Sequence, residues 1–150
     1  GTVAAAFESA LAGIRSIALS QLYSRENAGA DVSFAAAERW GEAALRPLID
    51  APFAERTLVN INFPPVTPDR VKGIRVVRQG FHDYARGSLV EGVDPRGFAY
   101  YWFGLHGIQH TPGHSTDLET IADSYVSVTP LQLDLTHDAS LATLAERYRG

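Results

Sequence analysis

The sequence GTVAAAFESALAGIRSIALSQ (residues 1–21) is the most informative stretch, because a helical pattern in it runs directly into a strand pattern. Its first part carries one apolar stripe at helical spacing: Val3, Ala6, Phe7, Ala10, Leu11 and Ile14. Gly13 marks the predicted end of the helix. Residues 16–21 are too few for a second helix and are rich in apolar side chains, which predicts an inner strand covered on both faces. A helix that leads into such a strand is the second half of a βαβ crossover and indicates an α/β fold.

The start of this helix allows two interpretations. A crossover helix needs a preceding strand to cover, yet only Gly1 and Thr2 stand before Val3, so we expect the first strand to be missing from this sequence. Small residues at a helix start let backbone N–H groups approach an anion, and the positive end of the helix favours phosphate. Gly1 and Thr2 are therefore candidate phosphate ligands. The alternative is that Thr2 serves only as the N-cap.

The loop after the first strand is a second candidate region. In open α/β sheets, ligands bind at the carboxyl ends of the strands. Ser20, Tyr23 and Arg25 lie there in sequence, and hydroxyl and guanidinium groups both suit phosphate. Ordinary loop polarity explains these residues equally well.

The next predicted helix has Asp31 as its N-cap and packs through an i, i+4 row: Ala36, Trp40, Ala44 and Leu48. Because proline disrupts a helix interior, Pro47 predicts a kink or an end near Arg46.

Two strands are predicted after that helix. Residues 58–63 alternate, with Asn60 and Asn62 on one side, and buried asparagines need partners. They are either members of a structural network, which we favour because Pro64 follows at once, or ligand contacts. Residues 74–79 form another strand; no helical crossover precedes it, so it should pair antiparallel with the previous strand or belong to an outlying ribbon.

The clearest hairpin surrounds the turn Asp94-Pro95-Arg96-Gly97, with strands at residues 84–93 and 98–104. Aromatic side chains alternate along the second strand, so both of its faces are apolar. One face can pack on its own domain, and the other is expected to form a subunit interface.

Two motifs after the hairpin resemble catalytic patterns. His106, His110 and His114 are four residues apart, but intervening glycine and proline make an aligned zinc site on a helix improbable. His114, Ser115 and Asp117 are too close in sequence for a hydrolase triad. The pair Thr116 and Glu119 instead predicts a capping box that starts a short helix to about Asp123.

The last elements are a long strand over residues 125–135, bent or bulged at Pro130, and a helix capped by Asp138. The apolar stripe of that helix should dock on the sheet. Its members are Leu141, Leu144, Ala145 and Tyr148.

Composition limits the function classes. The 150 residues are 45% hydrophobic and can bury the core of one domain or most of one. A net charge of −4 gives no general electrostatic reason to expect a nucleic-acid polymer as partner. The absence of cysteine excludes disulfides and thiolate metal sites, and with no apolar run long enough for a bilayer it indicates a cytoplasmic protein without a membrane partner.

Four segments together resemble the C-terminal part of the SurE family of survival proteins, in the family's order. They are residues 1–21, LVNINFP at Leu58 to Pro64, GIRVVRQG at Gly73 to Gly80, and TDLETIADSYVSVTPLQLDLT at Thr116 to Thr136. The resemblance implies part of a doubly wound, Rossmann-like α/β sheet with an extended β-hairpin and a C-terminal helix, whose N-terminal strands and helices are missing here.

The resemblance also implies an activity: hydrolysis of nucleoside monophosphates by a 5'/3'-nucleotidase with a divalent ion, Mg or Mn. The family's paired aspartates and its further Ser and Asn metal ligands would lie before Gly1, so this segment alone is expected to be inactive. Gly1 and Thr2 would hold phosphate, with Ser20 and Asn62 near the pocket. Asp117 would lie at the mouth of the site, by its match to the family's Thr-Asp motif.

One domain is implied, in three parts: a core at about residues 1–80, a hairpin and oligomerisation region at about 81–136, and a C-terminal helix at about 137–150. The hairpin region would join a swapped or interlocked homodimer or homotetramer. The alternative function is a non-catalytic oligomerisation module that only pairs subunits.

Overall fold

The first helix and strand form as the sequence predicts. The computed structural model describes residues 1–23, 33–81, 87–105 and 115–149. Helix α1 (Thr2–Leu11) is followed by strand β1 (Ser16–Gln21), and Gly13 between them has a φ of 77°, which glycine adopts without strain. Ala6 and Ala10 are buried, whereas Leu11 and Ile14 at the end of the predicted stripe are exposed. None of the helices in the described ranges is long and apolar enough to cross a membrane.

A four-stranded mixed sheet organises the described residues, in the order β1-β2-β6-β3. Strand β2 (Thr57–Phe63) is parallel to β1 and antiparallel to β6 (Val126–Gln132). Strand β3 (Ile74–Val76) pairs in parallel with β6. In the sheet, β6 lies between β2 and β3. The expectation that β3 pairs with β2 is therefore wrong, although the two run in opposite directions. Among the described residues, strand β1 pairs with β2 and with no other strand.

The sheet buries apolar side chains on both faces. One face packs under α2 (Ala35–Ile49), where Val59, Ile61 and Phe63 of β2 meet Ala36 and Ala44. The other face packs under α1 through a second cluster: Ala6, Ala10, Ala18 and Leu58. Because neighbouring residues on a strand point to opposite faces, Asn60 and Asn62 share the α1 face with Leu58.

Helix α2 does not end early at Pro47. It continues to Ile49, and its N-cap is Phe34, while Asp31 lies outside the described residues. Arg15, in the loop before β1, donates hydrogen bonds to the carbonyls of Leu48 at 2.6 Å, Ile49 at 3.0 Å and Ala51 at 3.1 Å. These bonds satisfy carbonyl groups that a helix leaves unpaired at its end, and they favour the turn beyond Pro47.

Strand β6 passes through Pro130 without a bulge. The pairing with β2 keeps its register, with Pro130 opposite Val59 and Leu131 opposite Leu58. Strand β3 ends at Val76, which pairs with Val128, so within the described ranges no strand residue is paired with Pro130 on that side. Of the two expectations for Pro130, a bend or a bulge, the bulge is therefore wrong, and the unbroken register does not test the bend. Strand β6 is an inner strand of the sheet and helix α3 (Asp117–Ala122) packs against it, although both fall within residues 81–136.

The predicted hairpin is confirmed as β4 (Gly87–Val93) and β5 (Ala99–Leu105); Tyr84 lies outside the described residues. The Gly97 N–H donates to the Asp94 carbonyl at 2.9 Å, and Gly97 has a φ of 85°. Asp94 Oδ1 also accepts from Arg96 N and Phe98 N at 2.8 and 2.9 Å. In the described part of the chain both faces are solvent-exposed, through Leu89, Val90, Val93, Tyr100, Tyr101 and Trp102, so the expectation that one face packs on its own domain is wrong for these residues.

The two last helices behave differently. Helix α3 begins with the predicted capping box, in which Thr116 and Glu119 exchange side-chain and backbone hydrogen bonds. Helix α4 (Asp138–Arg147) has no buried residue, and its predicted stripe, including Leu141 and Leu144, is exposed. The expectation that α4 docks on the sheet is wrong for the described residues. Its N-cap is His137, one residue before the predicted Asp138.

Candidate active site

The carboxyl ends of β1 and β2 lie side by side, because the strands are parallel and Ser20 is opposite Asn62. Helix α1 packs against both strands, and four residues separate its end at Leu11 from the start of β1 at Ser16. It therefore runs back along β1, and its first turn lies toward the edge where β1 and β2 end. In open α/β sheets this edge is the usual position of a ligand.

The first turn of α1 has no side-chain cap. Gly1 is the N-cap and Thr2 is the first helical residue, so the interpretation of Thr2 as N-cap is wrong. Thr2 is exposed and lines a shallow cavity of about 420 Å³ that follows the groove between α1 and β1 as far as Arg15 and Ser16, at the start of β1, and whose described lining includes neither Ser20 nor Asn62. The first N–H groups of a helix lack internal acceptors and carry its positive partial charge, so this turn suits an anion.

Polar side chains continue from this edge into the sheet. Ser20 is exposed, and Asn62 is half-buried and donates through Nδ2 to Ser127 Oγ at 3.4 Å. Ser127 is fully buried on β6, opposite Asn62. Asn62 is thus a member of a side-chain network, as the structural interpretation expects, and Ser127 holds its amide group in one orientation.

A second polar pair lies one step deeper on the same face. Asn60 is opposite Thr129, and the buried oxygens Asn60 Oδ1 and Thr129 Oγ1 have no hydrogen-bond partner among the described residues. Buried polar atoms are nearly always paired, by protein or by ordered water. Sequence reasoning identified Asn60 but not Thr129 or Ser127, because their position opposite the asparagines depends on the register of β6.

Gln21 is a further residue that the sequence did not identify. Its Nε2 donates to the carbonyls of Leu22 at 2.9 Å and Pro64 at 2.8 Å, and its Oε1 accepts from Ala37 N at 3.1 Å. One side chain therefore links the ends of β1 and β2 to the start of α2. These bonds fix the relative positions of the strand ends that carry Ser20 and Asn62.

Asp117 has a structural role in the described part of the chain. Its Oδ1 accepts from Gly80 N at 2.7 Å and from Leu118 N at 3.0 Å. Gly80 leaves no room for a side chain, because a Cβ there would lie 2.8 Å from Thr116 Oγ1. Asp117 therefore joins the segment after β3 to the start of α3, and none of its described contacts connects it with Ser20 or Asn62.

The remaining candidates are not gathered at this edge. Tyr23 is exposed just beyond β1, while Arg25, His106, His110 and His114 lie outside the described residues. Within residues 1–23, 33–81, 87–105 and 115–149, no three His, Cys, Asp or Glu side chains lie close enough to hold a metal ion. These residues alone therefore do not fit a divalent cation, which prefers several anionic oxygen ligands.

The comparison with known proteins identifies the family. A family model described as "Survival protein SurE" matches residues 1–86, more than half of the chain. The chain belongs to the SurE family. Proteins named "5'-nucleotidase SurE" from Erythrobacter litoralis (strain HTCC2594) and Rhizorhabdus wittichii (strain RW1) are 60% identical over 148 residues and 59% identical over 149 residues.

These SurE relatives are longer than the region that matches. Both alignments cover 99% of this chain but only 58% and 59% of the relatives, so the chain spans less than two thirds of their length. The crystal structure of SurE protein from Aquifex aeolicus matches with a TM-score of 0.71 and 30% identity over 98% of this chain and 57% of that chain. The predicted SurE-like α/β fold is confirmed.

The SurE edge formed by α1, β1 and β2 can bind but cannot perform acid–base chemistry by itself. It offers helix N–H groups, the hydroxyls of Thr2 and Ser20, and the amide of Asn62. Such groups donate hydrogen bonds to phosphate and sugar oxygens. No carboxylate or imidazole of the described residues has been placed beside them.

Proposed function

We propose that this chain is the C-terminal part of a longer phosphatase that hydrolyses nucleoside monophosphates, a 5'/3'-nucleotidase. The observation that carries the proposal is the uncapped first turn of α1 at the sheet edge where Ser20 and Asn62 lie together. Relatives at 60% and 59% identity are named 5'-nucleotidase, which supports the same activity. The substrate is a small nucleotide and not a nucleic-acid polymer, in agreement with a net charge of −4.

The residues of this chain bind and orient the substrate in the proposed function. The N–H groups that follow Gly1 and the hydroxyl of Thr2 hold the phosphate, since the positive helix end compensates its charge. Ser20 and Asn62 are opposite each other at the ends of β1 and β2 and would contact other oxygens of the substrate, and Asn62 donates to Ser127. Gln21 keeps the two strand ends aligned, so the binding groups need little rearrangement when substrate arrives.

The catalytic groups belong to the part of the relatives that this chain does not match. A divalent ion, Mg or Mn, would polarise the phosphoryl group and lower the pKa of a water molecule. Its carboxylate ligands are proposed to lie outside the described residues, because those residues hold no suitable cluster. We propose a cytoplasmic location and no membrane partner.

The second candidate function is assembly of subunits, favoured by the exposed apolar surface of the hairpin. Six apolar or aromatic side chains on the described part of its two strands are exposed, and the rings of Tyr100 and Trp102 pack edge to face with their centroids 6.1 Å apart. Large aromatic side chains gain much free energy by burial, so this surface is suited to another subunit. We propose that the hairpin, together with α4, joins a homodimer or a homotetramer.

The activity is tested on the full-length protein that contains this chain. Inorganic phosphate release is measured from a panel of 5'- and 3'-nucleoside monophosphates, with Mg, with Mn and with EDTA. The proposal expects release from nucleotides that is lost in EDTA and recovered with metal. No release from any nucleotide by a folded, metal-supplied protein would leave assembly as the function of this chain.

A further inference from the structure

Two buried oxygen atoms on the α1 face of the sheet call for a partner. Asn60 Oδ1 and Thr129 Oγ1 make no hydrogen bond with any described residue, and Thr129 is only 1% exposed. Asn60 on β2 lies directly opposite Thr129 on β6. A buried polar atom that has given up its hydration without gaining a partner destabilises the fold. We therefore looked for the group that would satisfy both atoms at once.

The two side chains do not satisfy each other. The hydroxyl of a threonine can rotate and donate, yet Thr129 Oγ1 does not bond Asn60 Oδ1. Side chains directly opposite on neighbouring strands are close enough for one small group to bridge them. Turning the amide of Asn60 end over end would replace the buried acceptor by a buried donor, so a partner would still be needed at the same place.

Helix α1 does not provide that partner. The side chains through which it packs on this face are apolar: Val3, Ala6, Phe7 and Ala10. Beyond the first turn of a helix, the backbone N–H groups are used within the helix itself. The described side chains of this face and the body of α1 therefore offer no donor to Asn60.

The charges of this face indicate what kind of ligand fits. The polar side chains that β2 and β6 place here are uncharged: Asn60, Asn62, Ser127 and Thr129. A divalent cation prefers several anionic oxygen ligands, which these amide and hydroxyl groups do not supply. The site is instead suited to a small neutral molecule that both donates and accepts hydrogen bonds, and water has these properties.

We propose that Asn60 and Thr129 bind one ordered water molecule between β2 and β6. The water donates to Asn60 Oδ1 and accepts from the Thr129 hydroxyl. It lies one step behind the bond from Asn62 to Ser127, so two consecutive polar contacts link the side chains of the two strands on this face. Buried waters of this kind are part of a structure and are costly to remove. The proposal is independent of phosphatase activity.

Urea unfolding of the full-length protein that contains this chain tests the proposal by the sign of a change. Thr129→Val keeps the branched shape but deletes one partner of the water and leaves Asn60 unsatisfied, so the folding equilibrium constant should fall about tenfold. Asn60→Leu should cause a similar fall. The double variant should recover most of the loss, because it retains neither polar atom.

Thr57→Val is the matched control, since the Thr57 hydroxyl on β2 donates directly to the Ala54 carbonyl at 2.6 Å. It should destabilise as Thr129→Val does. If Thr57→Val destabilises the protein while Thr129→Val leaves it as stable as the wild type or more so, the proposal is overturned, because an unpaired hydroxyl without water is better replaced by a methyl group.

A crystal structure of the full-length protein tests the position directly. The wild type should show a water within about 3.2 Å of both Asn60 Oδ1 and Thr129 Oγ1, and the double variant should lack it. A side chain from another part of the protein in that place, or a direct bond between Asn60 and Thr129, would overturn the proposal.

Discussion

Thr2 carries a hydroxyl that the fold does not use. It follows the N-cap Gly1 at the start of α1, and no hydrogen bond of its side chain is found among the described residues. Removing that hydroxyl should therefore leave stability nearly unchanged. An effect of the change on activity would reflect contact with substrate.

We predict that Thr2→Val in the full-length protein lowers kcat/KM on a nucleoside monophosphate about tenfold to hundredfold, the contribution of one charge-assisted hydrogen bond. The unfolding midpoint should stay within the error of the wild type. Thr143→Val is the matched control, because the Thr143 hydroxyl bonds the Ala139 carbonyl on α4, away from the candidate site. Unchanged kinetics in Thr2→Val would contradict the phosphate-binding role.

Arg15 connects three parts of the chain through one guanidinium group. It donates to three carbonyls at the end of α2 and stacks on the Phe53 ring, with 4.8 Å between its Cζ and the ring centroid. All three hydrogen bonds come from Nη2. Lysine could not reproduce the stacking, because an ammonium group lacks the planar surface of the guanidinium.

We predict that Arg15→Ala lowers the free energy of unfolding by about 1–3 kcal/mol, through lost hydrogen bonds and the lost cation–π contact. Arg15→Lys should restore only a small part. Urea unfolding measures both, with Arg39→Ala on exposed α2 surface as the control. A loss in Arg39→Ala as large as in Arg15→Ala would indicate a general effect of charge.

Local sequence determines the geometry of the hairpin β4–β5, whereas its exposure reflects how the rest of the chain is arranged. Asp94 and Gly97 close the turn, and Gly92 leaves room for the Tyr100 ring, whose Cζ would be 2.6 Å from a Cβ at that position. Neither face is covered by the described residues. The stability of the hairpin therefore depends on the contacts between its own two strands and on contacts with a partner.

We predict that replacing Tyr101 and Trp102 by Ser reduces self-association, because the two residues lie on opposite faces of the hairpin and each exposes most of its side chain. Sedimentation velocity should give a smaller species than the wild type. Ile49→Ser removes an equally exposed apolar side chain elsewhere and should leave the mass unchanged. An unaltered mass in a folded double variant would place the interface elsewhere.

Elements specified by neighbouring residues were predictable from the sequence. The pair α1 and β1, the Asp94–Gly97 turn and the Thr116–Glu119 capping box all depend on contacts within a few positions. The end of α2 was not predictable, since the carbonyl groups beyond Pro47 are satisfied by Arg15, more than thirty residues away in sequence. The stripe of α4 predicted an apolar contact, but periodicity does not identify the surface that covers it.

The arrangement of the sheet depends on the whole molecule. Strand β6 lies between β2 and β3, although more than sixty residues of sequence separate it from β2, as the paired residues Asn62 and Ser127 illustrate. The candidate site also depends on this arrangement. Ser20 and Asn62 could be proposed from their positions on the predicted strands. Ser127 and Thr129 could be identified only from the register of β6 against β2. The metal ligands are proposed to lie beyond the described residues.

We predict that the purified 150-residue chain releases no phosphate from nucleoside monophosphates, with or without Mg or Mn, because its described residues hold no cluster of metal-binding side chains. The chain should nevertheless bind phosphate weakly through α1, as a chemical-shift titration would detect at Thr2 and Val3. Metal-dependent hydrolysis by the isolated chain would show that it contains its own catalytic groups.

The outer edge of β1 also has a consequence for handling this chain in isolation. Its segment SIALSQ is uncharged and free of proline, and within the described residues it pairs on one side only. Unpaired strand edges of this composition are templates for identical segments, which stack at about 4.7–4.9 Å spacing into growing fibrils. The solubility of the isolated chain should therefore be limited by strand addition at β1, and a lysine in place of Leu19 should keep concentrated samples clear for longer.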